Sequence, residues 1–411
     1  MFKDVTQYRE LDIYFKKSTY FLFFIFIFFP YISIVDLGTD MQPYALVMAL
    51  ILLPFFRPSF NFIQLNLFLI FSLALIIFLF GEINFLSTRS FLNYMQLFLV
   101  SFVGFKVLKS ERINFEFFLK LSTFIWLLTG FIQTIYDKNF LNFLVRSPRA
   151  ISDTRGVTSL APEPTFYGII LLFLILFFLQ TNYKNKNYFI CGCVIGIIFF
   201  AKSSMIFVFL CIMIFFYLLT HLNIRSILTA IAFFVIVPFV ILEYMNETRL
   251  SFLIHEVLTQ PNSIYMDLSI VDRLIHIFLS LKGFLDNNML PNGFLNWEYY
   301  KSTQIPDLIR DGILYPEYET NDARARGGRI MSGFGAAFFE LGFIAVLIPI
   351  TLLRVYYLLY KKNLKKFFFF SLFVNLIMFS AIPIGFSIFA FYIGFLLYLI
   401  WKNSRDRRSY I

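Results

Sequence analysis

Long apolar runs recur along this chain, and they constrain the fold before anything else does. One reads FIQLNLFLIFSLALIIFLF, residues 62–80, and another reads FLFFIFIFFPYISIV, residues 21–35. An α-helix rises 1.5 Å per residue, so roughly 20 apolar residues cross a hydrocarbon core of about 30 Å. Inside lipid every backbone N–H and C=O needs a partner within the protein, which only helices and closed barrels provide. The runs are continuous rather than alternating, and that pattern selects helices.

The chain has 411 residues, of which 59% are hydrophobic, and 60 are Phe, well above the apolar share of a soluble domain. The expected architecture is an all-α polytopic integral membrane protein, a single membrane domain over 1–411 with about twelve transmembrane helices. They fall near 19–36, 42–56, 61–80, 91–108, 115–136, 165–181, 187–200, 204–220, 226–243, 333–358, 367–382 and 384–401, the second and seventh being short. The first run follows about 18 polar, basic residues and is read as a span rather than a cleaved leader.

Basic residues fix the expected orientation. Lys106, Lys109 and Arg112, Lys361 to Lys366, and Lys402 to Arg408 crowd one set of connections. The short loops of the other set hold only Arg89, Lys138, Arg146, Arg149, Arg155 and Lys202. The positive-inside rule then places both termini in the cytoplasm. The net charge of +10 is accounted for by this flanking pattern, and no nucleic-acid partner is implied. The cysteines, Cys191, Cys193 and Cys211, lie in apolar runs and read as packing residues.

This orientation leaves two large outer loops, 137–164 and 244–332, the second with surface helices. The first carries Arg146, Arg149 and Arg155, which read as an anion site, as part of a solvated loop, or as a contact with acidic lipid headgroups. It leads into TRGVTSLAPEPTFYG, 154–168, where Pro162 and Pro164 restrict the backbone around Glu163. Pro164 suits the first turn of a helix, so Glu163 sits at a helix N-terminus, where a carboxylate stays ionised. Glu163 is either a helix cap or a base.

In the second loop, Val271, Leu274, Phe278, Leu281 and Leu285 recur at helical spacing. The expected helix lies along the membrane and turns Arg273, His276 and Ser280 away from lipid, and Asp272 is placed to pair with His276. The loop ends with Arg324, Arg326 and Arg329 among Gly327, Gly328, Gly333 and Gly335, glycines that let backbone approach closely. Arg forks match phosphate oxygens, and the arginine groups are expected over one cavity. Neither metal-ligand spacing nor a glycine-rich phosphate loop occurs, so no metal, nucleotide or other cofactor is implied.

Taken together, TRGVTSLAPEPTFYG, AKSS (201–204), DRLIHIFLSLKGFLDNNMLPNGF (272–294) and SGFGAAFFELGFIAVL (332–347) resemble the O-antigen polymerase (Wzy-type) family. That family sits in a wider group with O-antigen ligases and related lipid-linked sugar transferases. Arg324 and Gly335 also match an Arg-x10-Gly spacing of such polymerases. The group's ligases carry a His followed by Asn near the end of the long loop. Here that region reads GRIMSGFGAAF, without a His, which favours polymerase.

The resemblance implies inverting, metal-independent glycosyl transfer at the periplasmic face of a Gram-negative inner membrane. Donor and acceptor would be oligosaccharides on undecaprenyl pyrophosphate, with membrane lipids, a flippase and a chain-length regulator as partners. Glu163, Arg273 and His276 are then candidate catalytic residues. Arg146, Arg149, Arg155, Arg324, Arg326 and Arg329 are candidate pyrophosphate or sugar ligands. The alternatives are a ligase that transfers glycan to lipid A-core, and a lipid-linked sugar transporter.

Overall fold

The computed structural model describes residues 16–35, 39, 41–146, 148, 155–220, 228, 231, 235–236, 238–239, 241–243, 249–259, 268–314, 318, 329–380 and 382–408. Among these, regular structure is helical apart from one isolated bridge between Ile32 and Val145. Among the described residues, five helical stretches are long and apolar enough to cross a membrane, Gly333–Tyr360 taken as one of them, and four more are apolar but shorter. The chain divides into two compact units, one of residues 1–58, 99–254 and 387–411, the other of 59–98 and 255–386.

The first unit contains α1 (16–28), α2 (Tyr44–Leu52), the second half of α4 (Phe85–Lys109), α5 (Phe115–Ile135), α6 (Pro164–Gln180), α7 (Lys186–Ile195), α8 (Ser204–Thr220) and α15 (Ser387–Arg408). At its centre lies α6, buried on every side from Tyr167 to Phe178. Phe28, Phe115, Phe177, Phe391 and Phe395 meet there with ring centroids 5.0–6.2 Å apart, mostly edge-on or tilted. The abundance of Phe thus builds the interior of this unit.

The second unit contains α3 (Phe62–Phe80), the first half of α4, α10 (Leu268–Asp286), α11 (Trp297–Arg310), α12 (Gly333–Leu341), α13 (Leu347–Tyr360) and α14 (Leu364–Ser380); α9 (Arg249–Thr259) joins the two units in sequence. Ile275, Leu279, Trp297, Ile305, Leu308, Tyr318 and Phe339 form a buried apolar cluster under α10, α11 and α12.

Several expected boundaries move. The first span was expected to run to 36, but α1 ends at 28, because Pro30 lacks an N–H and disfavours helical backbone at Phe29. With its following turn, the second apolar helix runs from Tyr44 to Phe55, about 18 Å of rise, close to the short span expected at 42–56. The expected span 333–358 is interrupted at Gly342, with φ +65°. Most of the span expected at 226–243 lies outside the described residues.

Candidate functional site

In the first unit, the segment leading into α6 is not a solvated loop. Gly156 to Ala161 are all buried. Non-helical backbone at such depth needs partners for its polar groups, and Gln133 on α5 supplies them. Its Oε1 accepts from Ser159 N–H at 2.6 Å and its Nε2 donates to Ser159 O at 3.0 Å. The Ser159 hydroxyl donates to Trp126 O at 3.0 Å, and Val157 N–H donates to Phe200 O at 2.9 Å. Ser159 adopts φ +51°, a strained value for a non-glycine residue. A Cβ on Gly156 would collide with the Ala201 carbonyl, so only glycine lets the two strands of chain touch.

This buried arm ends in an exposed Arg155 on one side and a half-buried Glu163 on the other. Pro164 occupies the first turn of α6, as expected, and Glu163 is its N-cap residue in extended conformation. The Glu163 side chain makes no capping hydrogen bond to the helix, so it serves α6 through its backbone carbonyl, which accepts from Tyr167 N–H at 3.1 Å. Arg146 is half-buried in the same unit. Arg149 lies outside the described residues.

In the second unit α10 turns its polar stripe inward, onto α11 and α12. Leu274, Phe278 and Leu285 are at least half exposed, whereas Asp272, His276 and Ser280 are buried. His276, expected on an open polar face, is 1% exposed and packed on Trp297 with ring centroids 5.2 Å apart. Met331 N–H donates to His276 Nδ1 at 3.2 Å, which assigns the lone pair to Nδ1 and the proton to Nε2. Nε2 faces Lys301 Nζ at 3.1 Å and Asp272 Oδ1 at 3.6 Å, and Lys301 Nζ lies 3.7 Å from Asp272 Oδ1. The Tyr318 hydroxyl donates to Asp272 Oδ1 at 2.6 Å.

Burial pushes the His276 pKa down to about 4; Lys301 and Arg329 push the same way, and Asp272 opposes them. His276 is therefore neutral at physiological pH. Burial also lowers the pKa of Lys301, with Asp272 opposing. A lysine facing Nε2 occupies the position a metal would take, so this donor set is a polar tie rather than a metal site. It joins α10, α11, Tyr318 and the 329–331 segment. Half-buried Arg273 and Arg329 flank it at Asp272 and Met331. Arg324 and Arg326 lie outside the described residues, as do Gly327 and Gly328. Gly335, expected to permit close approach, packs its bare Cα against Ser280, and Gly333 meets the Ile382 carbonyl.

Sequence reasoning missed Lys301 and Tyr318. For Lys301 a signal was present: Trp297, Lys301, Ile305 and Leu308 share one helical stripe, and a lysine within an apolar stripe needs a buried partner. It also missed Glu340 as the centre of a polar contact. Glu340 accepts from the Tyr94 hydroxyl at 2.5 Å and from the Ser90 hydroxyl at 3.1 Å. The helix breaks two residues later, and the 289–293 turn fills the gap. Asn292 N–H donates to Phe339 O, Gly293 N–H to Glu340 O, and Phe343 N–H to Met289 O.

No protein-family model matches the chain, and no curated protein sequence is similar to it.

Proposed function

We propose that this protein is an O-antigen-type polysaccharide polymerase, spanning a bacterial inner membrane about twelve times with both termini in the cytoplasm. The observation that carries the reading is the buried arm of the first unit. Gln133, Trp126 and Phe200 hold it rigidly, and it leaves a guanidinium at one end and a carboxylate at the other. Such an arm is suited to glycosyl transfer from a pyrophosphate-linked sugar.

In that reaction the acceptor's terminal hydroxyl attacks the anomeric carbon of the donor. Its proton passes to Glu163, the C–O bond to undecaprenyl pyrophosphate breaks, and the configuration inverts. Charge developing on the leaving pyrophosphate is met by fixed guanidinium groups, Arg155 here, with Arg146 and Arg149 in the same loop. In the second unit, Arg273 and Arg329 are phosphate ligands, with Arg324 and Arg326 in the same loop. His276 is reassigned from catalysis to positioning, since its buried ring faces Lys301 rather than open space. The lipopolysaccharide ladder of a strain lacking the gene tests the reading. A core bearing one repeat unit supports a polymerase, and a core bearing none indicates a ligase.

The Glu340 contact favours a second reading, transport. An ionisable side chain within an apolar helix, beside a helix break, is a common element of ion-coupled carriers. Purified protein that elongates lipid-linked repeat units in detergent, where no gradient exists, excludes transport as its activity.

A further inference from the structure

The seam between the buried arm and the α7–α8 connection brings together groups that sequence alone did not connect. Residues 196–201, directly after α7, form a π-helical turn, and Lys202 then adopts left-handed backbone, φ +46° and ψ +31°. π-Turns and left-handed non-glycine residues cost local stability and are concentrated at functional sites. The Gly156 backbone rests on the Ala201 carbonyl. Arg155 and Lys202 each lie one residue from that contact, so their Cα atoms are at most about 10 Å apart. Both side chains are long enough to reach one phosphate-sized anion between them. Across the same seam Thr165 Oγ1 and Ser203 Oγ are hydrogen-bonded at 3.1 Å, which brings Glu163 within two residues of it. Thr158, next to Val157 in the seam, is fully buried, and its hydroxyl has no hydrogen-bond partner among the described residues.

We propose that Lys202 and Arg155 form a binding site for a phosphate-bearing ligand, with the Thr165 and Ser203 hydroxyls at its edge. Lys202 is half-buried, and burial lowers its pKa, with nearby Lys138 adding to the effect. A bound anion relieves both penalties, since it is an opposite charge beside a partly desolvated cation and between like charges. The α8 N-terminus begins at Ser204, and its first N–H groups add to the attraction. The anion site follows from this geometry. Its assignment to the pyrophosphate of a polyprenyl-linked sugar rests on the glycosyl-transfer reading, in which Lys202 holds the leaving group while Glu163 faces the acceptor.

The test uses full-length protein in phosphatidylcholine nanodiscs, titrated calorimetrically with inorganic pyrophosphate. Lys202→Asn removes the charge with a residue that tolerates left-handed backbone, and Lys202→Arg keeps the charge. Lys402→Met removes an exposed lysine elsewhere as a control. Lys202→Asn is expected to weaken pyrophosphate binding at least about tenfold, as loss of a charge-assisted contact does; Lys202→Arg should stay within a few-fold, and Lys402→Met should match wild type. Wild-type affinity in Lys202→Asn overturns the site. Competition separates the two sources of phosphate. Farnesyl pyrophosphate displacing the probe far better than dihexanoyl phosphatidylglycerol supports the polyprenyl assignment. Equal displacement overturns it in favour of a lipid headgroup. These are binding measurements, so failure of the polymerase reading shows separately, in the ladder.

Discussion

Acid should loosen the second unit through His276. In the folded protein this ring takes a proton only near pH 4, against an ordinary 6.5. Between those values the unfolded chain binds more protons than the folded one, so stability rises with pH. The contribution is complete above pH 6.5 and is lost as pH falls toward 4. At pH 5 the unfolded imidazole is almost fully protonated and the folded one is mostly neutral, which costs roughly 1.5 units, or about 2 kcal/mol. Local opening of α10 then becomes about twentyfold more frequent than at pH 7. The cause is geometric. Protonation of Nδ1 sets two N–H groups against each other at Met331, and the new charge lies beside Lys301 and Arg329.

The assay is hydrogen exchange by mass spectrometry on peptides covering 270–286, corrected for intrinsic exchange at each pH. His276→Gln serves as the comparison, since it offers a polar side chain that does not titrate. The wild type is expected to lose protection between pH 6.5 and 4.5, while the variant changes little across that window. Equal acid sensitivity of the two proteins would show that other groups govern α10 and would refute the neutral-imidazole argument.

Other consequences follow from the same geometry. Gly156→Ala forces a Cβ onto the Ala201 carbonyl and should cost about 1–3 kcal/mol, releasing the 155–161 arm to protease while the α6 core stays protected; unchanged cleavage kinetics would contradict the contact. Glu163→Gln should fold and insert normally but lower polymerisation by about 10²–10⁴, read as ladder length at matched membrane levels; full ladders would leave Glu163 as only a helix N-terminal residue. Arg273→Ala should abolish polymer, and Arg273→Lys, which keeps the charge but loses the fork, should leave it severely reduced; a full ladder from the alanine variant would remove Arg273 from the site. On the proposed arginine-based stabilisation of the leaving group, polymerisation in vitro should continue in excess EDTA; arrest by EDTA with recovery on adding a divalent ion would overturn that account.

How much of this was legible in the sequence depended on the kind of signal. Helix 62–80 was read almost to the residue, because a continuous apolar run carries its own length; Asn61, counted as the first residue of the span, is instead its cap, with Oδ1 accepting from Gln64 N–H at 2.8 Å. Pro164 opening α6 was equally local. The break at Gly342 was not legible. Its neighbours are apolar on both sides, and the interruption exists because the 289–293 turn, some fifty residues earlier, supplies hydrogen bonds to the two halves. The expected span was therefore continuous where the observed one is interrupted.

The candidate site shows the same division between local and distant causes. The amphipathic period of α10 was correct, but the period says only that two faces differ, not which one is covered. The apolar residues were expected to face lipid and the polar ones to face away from it, which left open what would meet the polar stripe. What decides between them is the partner of the polar stripe. Lys301 and Tyr318 lie 25 and 46 residues from the groups they meet, and together they satisfy Asp272 and His276 well enough to bury both. With that stripe covered, Leu274 and Phe278 are the residues left outside. A polar network able to bury a charged face is a property of two helices at once, and neither helix announces it alone. Lys301 on an apolar stripe was the half of that network visible in one helix. Reading it as a demand for a buried acceptor would have led to Asp272, whose Oδ1 lies 3.7 Å from Nζ, and from there to His276 one turn along α10.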